Sequence, residues 1–234
     1  MALLRVAGIE SGYGDVQILW GIDLDVAAGE TVLLLGANGV GKTTILRTII
    51  GLLPCWSGKI LFDGEPLQTL KPSERIRRGI CYMSELGVFP DLSIAENIGL
   101  GGYFLSAAEA RRRSERLFAL FPDLAERQRA VAASLSGGQR KMLAIAKALV
   151  GEPRLLLMDE PSAGLAPVFV RQVIETLKTI MTRGTALLIA EQNVTFLTIA
   201  DRGVLVEGGR VRLSGTRSDL EKNDRVRESY FGLE

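Results

Sequence analysis

The sequence contains no histidine among its 234 residues. Imidazole is therefore excluded as a general acid or base and as a metal ligand, and any proton transfer near neutral pH falls to other groups. Cysteine is scarce: Cys55 and Cys81 stand far apart without metal-ligand spacing, so two reduced thiols are expected, with no disulfide framework. No excess of one charge sign exists, with 28 basic and 27 acidic residues giving a formal charge of +1. A large uniform basic surface is not implied, and nucleic acid is not an expected partner, though local patches remain open. The opening Met-Ala-Leu-Leu-Arg lacks the pattern of a signal peptide. No uncharged apolar run reaches the roughly 18 residues needed to cross a bilayer, so any membrane connection is expected to be peripheral.

What is present is a globular composition, 47% apolar and 24% charged, enough for a full core as one domain or a domain with a subdomain. Residues 36–44 read Gly-Ala-Asn-Gly-Val-Gly-Lys-Thr-Thr. Gly36, Gly41, Lys42 and Thr43 fit the phosphate-loop pattern of Gly, four free residues, Gly, Lys, then Ser or Thr. An apolar, partly β-branched run at 31–35 precedes the motif and a helical pattern over 44–53 follows it, which is the context the motif requires. Glycines let the backbone curl so that the N–H groups of Gly36, Ala37, Asn38, Gly39, Val40, Gly41, Lys42, Thr43 and Thr44 line one concavity. Lys42 supplies a cation for the β and γ phosphates, and the Thr43 hydroxyl a ligand for Mg²⁺.

Residues 3–9 and 16–26 read as strands joined by a turn at 11–14, which predicts an antiparallel β layer beside the nucleotide core. Tyr13 on that turn has a ring face suited to stacking on adenine; taken alone it also fits an ordinary turn tyrosine. A strand at 58–62, a short helix opened by Pro72 and a strand at 80–84 follow. The character then changes. Ser93 with Glu96 and Ser106 with Glu109 are capping-box patterns that open helices, predicting an all-helical insert over 88–150 within a core formed by 1–87 and 151–234. Arg111, Arg112, Arg113 and Arg116 are read as a solvated face. Strands at 154–158 and 186–190, helices at 167–181 and 194–200, and a strand pair over 203–214 turning at Gly208-Gly209 complete the chain. Strands alternating with helices imply a mainly parallel sheet in an α/β fold.

Two further constellations carry chemistry. The apolar run 155–158 ends in Asp159 and Glu160. At the end of a strand Asp159 is placed to hold Mg²⁺, and Glu160 to accept a proton from attacking water; a plain strand-end cap is the alternative. Leu135-Ser136-Gly137-Gly138-Gln139 precedes a helix from about residue 140. It reads either as a Gly-rich N-cap or as a second place where a hydroxyl and bare N–H groups meet phosphate oxygens. One nucleotide has no need of two cradles in one chain, which suggests a head-to-tail pair, each copy closing over the other's ATP.

The phosphate loop at 36–43, the pentapeptide at 135–139 and the carboxylate strand at 155–160, in that order with a helical insert between, resemble an ATP-binding cassette, the nucleotide-binding subunit of ABC transporters. The resemblance runs from about residue 3 to the C-terminus and implies a P-loop NTPase core. It implies that Tyr13 stacks on adenine and that Asp159 and Glu160 are the magnesium and catalytic-base positions. Ser136, Gly137, Gly138 and Gln139 match the signature that contacts the partner's γ phosphate.

Three positions depart from the general pattern. Glu85 stands where most cassettes carry Gln, and one of its oxygens is still suited to approach Mg²⁺. Ala166 replaces the usual Asp after the carboxylates. Gln192 occupies the switch-histidine position, where an amide can donate to the γ phosphate but cannot become charged. Glu-Gln-Asn at 191–193, Ser-Ala-Gly-Leu-Ala-Pro at 162–167, Val-Phe-Pro at 88–90 and Tyr-Gly-Asp-Val-Gln at 13–17 resemble one of the two cassettes of branched-chain amino acid importers; cassettes for urea and short amides are similar here. That likeness implies a second, different cassette, two membrane permease subunits, an extracytoplasmic solute-binding protein, and a place on the cytoplasmic face of the plasma membrane. ATP and Mg²⁺ are the expected ligands.

Overall fold

A computed structural model describes residues 2–85 and 87–223. In chain order the elements are β1 (Ala2–Tyr13), β2 (Val16–Ala27), β3 (Thr31–Leu35), α1 (Lys42–Ile50), β4 (Ser57–Phe62), β5 (Glu65–Pro66), α2 (Pro72–Arg77), β6 (Ile80–Met83), α3 (Ile94–Gly101), α4 (Ala107–Leu120), α5 (Pro122–Ala125), α6 (Gly137–Leu149), β7 (Leu155–Asp159), α7 (Pro167–Met181), β8 (Ala186–Glu191), β9 (Arg202–Glu207), β10 (Arg210–Gly215) and α8 (Arg217–Glu221). They form two sheets. One is antiparallel in the order β2-β1-β4-β5, and the other runs β10-β9-β3-β8-β7-β6. In the second, all neighbours are parallel except β9 with β10. The α/β fold with a mainly parallel sheet and an antiparallel layer is thus as the sequence predicts, and α3 to α6 lie between β6 and β7.

The central strands are apolar without interruption because both of their faces are buried. Alternate residues serve different cores. Val32, Leu34, Leu155, Leu157 and Leu188 pack with α1 and the antiparallel sheet, while Leu33, Leu35, Leu156, Met158 and Ile189 pack with α6 and α7. The parallel strands β3, β6, β7 and β8 all point the same way, so the segments that follow them gather at one edge of the sheet. In a parallel sheet that edge is where ligands bind.

Several boundaries differ from the expectation. The β1–β2 hairpin turns at Gly14-Asp15, not at 11–14, since Tyr13 still pairs with Val16 and Gly12 with Gln17. Gly12 is needed for close strand approach: a Cβ there would lie 1.9 Å from the Val16 carbonyl oxygen. The helix α1 starts at Lys42 and stops at Ile50, because Gly51 takes a left-handed φ of 85° and donates back to Arg47 and Thr48. The expected helix at 194–200 is a single 3₁₀ turn, Val194–Thr198, started by the Asn193 side chain accepting from the Thr195 N–H; its β-branched residues are weak helix formers. The signature helix begins at Gly137, three residues earlier than expected, since Ser136 and Gln139 form a capping box.

Buried Arg75 secures the far end of α1. Its Nη1 donates to the Thr48 and Ile49 carbonyls at 2.9 and 2.7 Å and its Nε to the Leu70 carbonyl at 3.1 Å. A cation on the last carbonyls of a helix satisfies orphan acceptors and complements the helix dipole.

Candidate nucleotide site

The phosphate loop joins β3 to α1. Gly39 and Gly41 hold φ of +80° and +110°, which side-chain-bearing residues rarely adopt. A Cβ on Gly36 would stand 2.5 Å from the Val206 carbonyl oxygen and 2.8 Å from Val40 Cγ2, so only glycine lets the loop pass the end of β9. Asn38 and Gly39 are exposed and Ala37 with them, whereas Gly36, Gly41, Lys42 and Thr44 are buried. The first N–H groups of α1 have no acceptor within the helix, and they open at the C-terminal edge of the sheet.

Lys42 Nζ donates to the Gly36 and Ala37 carbonyls at 2.8 and 2.9 Å and lies 3.7 Å from Glu160 Oε1. Burial pulls the Lys42 amine below its usual range, against the attraction of Glu160, Glu191 and Asp159. Burial also raises the Glu160 carboxyl, with Lys42 opposing. Each group is thus less comfortable charged than in water, and each supports the charge of the other. Glu160 holds a φ of +46°; its N–H donates to the Ala190 carbonyl at 2.9 Å. Non-glycine residues in that region concentrate at functional sites.

Thr43 Oγ1 donates to Asp159 Oδ1 at 2.8 Å, and Tyr82 on β6 donates its phenol hydrogen to Asp159 Oδ2 at the same distance. Burial, then the neighbouring Asp159 carboxylate, pushes the Tyr82 phenol well above its ordinary value, so it remains a donor. A hydroxyl beside a carboxylate is a donor set suited to Mg²⁺, which binds oxygen and keeps several of its own waters. Among the described residues no cluster of three or more His, Cys, Asp or Glu is arranged for a softer or all-protein metal cage.

Glu85 follows β6 and is exposed, as is Gln192 after β8. The Glu191 carboxylate is buried and organises both neighbouring loops, accepting from the Ser162 N–H at 2.7 Å and from the Gln192 and Asn193 N–H groups at 3.1 and 3.2 Å. Tyr13 is exposed at the end of β1, with its hydroxyl 3.4 Å from Arg47 Nη1 of α1. Away from this cluster, Ser136 Oγ accepts from the Gln139 N–H at 3.3 Å and Gln139 Oε1 from the Ser136 N–H at 3.0 Å. Ser136 and Gly137 are exposed, and Gly138 is buried against the Phe169 ring, where a Cβ would come within 2.5 Å.

Tyr82, Lys141 and Arg75 carry no motif in the sequence, and Glu191 enters it only within the Glu-Gln-Asn run at 191–193. Lys141 had a signal: it falls in the buried stripe of α6 between Gly138 and Ile145, where a lysine needs a reason.

A profile described as ABC transporter matches residues 19–163. The high-affinity branched-chain amino acid transport ATP-binding protein BraG of Pseudomonas aeruginosa is 38% identical over 98% of this chain and 100% of its own length. The lipopolysaccharide export system ATP-binding protein LptB of Escherichia coli K12 is 30% identical, covering 99% of this chain and 98% of its own. A nucleotide-free ATP-binding cassette from an ABC transporter shares the fold at a TM-score of 0.86 and 24% identity, over 98% of this chain and 99% of that one. With the profile covering more than half of the chain and BraG aligned over its whole length, the chain belongs to the ABC transporter family as an ATP-binding cassette.

Proposed function

We propose that this chain binds and hydrolyses ATP to power an importer, with branched-chain amino acids as the cargo. The observation that carries the hydrolytic part is the convergence of Lys42, Thr43, Asp159 and Glu160 at one edge of the sheet, joined by the 2.8 Å Thr43–Asp159 bond and the 3.7 Å Lys42–Glu160 approach. The higher identity to BraG than to LptB supports the cargo.

ATP is the substrate. Tyr13 takes the adenine ring, and the N–H groups of residues 36–44 take the phosphate oxygens. Thr43, Asp159 and Glu85 would hold Mg²⁺, which supplies charge neutralisation and alignment of those oxygens. Glu160 takes the proton of the attacking water as its oxygen bonds to the γ phosphorus and the bond to ADP breaks. Lys42 and the Gln192 amide stabilise the charge that spreads over the γ oxygens. The raised Glu160 carboxyl and its left-handed backbone suit a base held in one orientation.

Ser136, Gly137, Gly138 and Gln139 complete the site of a second cassette, a different chain in this reading, beneath two permease subunits fed by an extracytoplasmic solute-binding protein. Residues 88–150 act as the helical signature subdomain against a core of 1–87 and 151–234. The chain sits peripherally on the cytoplasmic face of the membrane, and no described helix is long and apolar enough to cross one. Nucleic acid has no part in it. The test is co-purification with the membrane partners followed by ATP hydrolysis measured with and without candidate solutes. Stimulation by leucine, isoleucine or valine is expected, and Glu160→Gln should trap ATP and stop turnover. Stimulation by urea or a short amide instead would overturn the cargo, and undiminished turnover in Glu160→Gln would overturn the role of Glu160.

A further inference from the structure

Lys141 sits on the buried side of α6 and is 8% exposed. A buried ammonium is costly unless its hydrogens are used. Its Nζ donates to the Glu85 carbonyl at 2.8 Å and to the Glu160 carbonyl at 2.9 Å. These two carbonyls follow different strands, β6 and β7, and belong to segments 56 and 19 residues away in sequence. The carboxylates of Glu85, Glu191, Glu160 and Asp159 all act on Lys141 electrostatically, yet among the described residues it closes no ion pair. A lysine placed only to neutralise this acidic cluster would sit on a carboxylate. Lys141 sits on main chain, which fixes the backbone and leaves the Glu160 carboxylate to its approach to Lys42.

We infer that Lys141 is a positioning residue that ties the signature helix to Glu160 and to the segment after β6, so that a shift of either is felt by the other. The Glu160 main chain is held from both sides, its N–H by the Ala190 carbonyl of β8 and its C=O by Lys141 at 2.9 Å and, within its own turn, by the Ala163 N–H at 3.2 Å. Its φ of +46° is a conformation that persists only when the surroundings impose it. Without Lys141 the Glu160 carbonyl loses its partner on α6, and the carboxylate loses the fixed backbone from which it reaches toward Lys42. The inference rests on the hydrolytic reading of Glu160 for its kinetic consequence, but not for the anchoring itself.

The experiment compares Lys141→Met, Lys141→Arg and Glu160→Gln in the full chain purified with its partners. Steady-state ATP hydrolysis, MgATP affinity by calorimetry and amide hydrogen exchange are measured for each. Lys141→Met is expected to lower kcat by about 10- to 100-fold, the range for removing a group that orients a functional one. ATP affinity should stay within about threefold, because no contact to the nucleotide is removed. Exchange should rise at residues 160–163 and at 84, 85, 87 and 88 together. Lys141→Arg, which keeps donors for both carbonyls, should restore most of the rate. A folded Lys141→Met with wild-type kcat and wild-type exchange at both segments overturns the inference, as does equal loss in the Met and Arg variants. If Lys141→Met does not fold, Lys141→Gln carries the same readings. Turnover at wild-type rate in Glu160→Gln would instead remove the hydrolytic role of Glu160, while the paired change in exchange would still report the anchor.

Discussion

Thr43 and Asp159, 116 residues apart in sequence, share a hydrogen bond of 2.8 Å that joins the start of α1 to the end of β7. Tyr82 holds the other oxygen of the same carboxylate, so the orientation of Asp159 is set from two sides. Thr43→Ala or Asp159→Asn should abolish the Mg²⁺ dependence of ATP binding while leaving the fold intact. Tyr82→Phe, which removes the hydrogen bond to Asp159 Oδ2 together with the Tyr82 contact to Arg47, should weaken the apparent Mg²⁺ affinity by about tenfold. A Mg²⁺ titration of nucleotide binding reads both; a Tyr82→Phe curve that overlays the wild type would show that Thr43 alone orients the carboxylate.

Gln192 is exposed at the end of β8, and its amide cannot take a charge. In the proposed pair, Gln192 together with Ala166 is expected to make the two sites unequal, with the one built on this chain's phosphate loop slower than its partner's. Disabling each site in turn and timing the survivor measures this. Gln192→His should speed the slower site, and equal rates from both sites would sink the asymmetry.

Arg75 donates to three carbonyls without a carboxylate among those partners, and burial alone draws its pKa below the usual arginine value. Arg75→Met would keep much of the volume but orphan the end of α1. The expected loss is about 2–3 kcal/mol of folding stability, from the range for hydrogen bonds to charged groups. Urea denaturation gives the number. A midpoint within experimental error of the wild type would mean that water takes over those carbonyls at no cost.

The two thiols should react unequally. Burial pushes the Cys81 thiol up to about 11, so at pH 8 almost none of it is thiolate, the reactive form. Cys55 is also raised by burial but is held at the Ser57 carbonyl on a loop. Iodoacetamide at pH 8 with peptide mass mapping should therefore modify Cys55 first, with Cys81 rising only as pH approaches its own value. Prior labelling of Cys81 would contradict the burial.

The phosphate loop was legible because its chemistry is written in consecutive residues: the glycines, Lys42 and Thr43 are neighbours along the chain. The same holds for Asp159 and Glu160 on an apolar strand. Tyr82 and Lys141 act across the fold, 77 residues from Asp159 and 56 from Glu85, and no local pattern records which strand ends will meet. Glu191 was visible as a residue but not as the acceptor of three N–H groups from two loops. The helix starts at Gly137 and not near residue 140 because the Ser136–Gln139 box offsets the poor helix propensity of the two glycines it encloses.

That box has its own consequence. Ser136 and Gln139 answer each other's hydrogen-bonding needs inside one chain, on a surface open to solvent. In the proposed pairing such a tip would lie bare between encounters without unravelling, and would surrender little on meeting another subunit and little on leaving. If the chain grips and releases a neighbour once per cycle, as proposed, an end that is stable in either condition serves it.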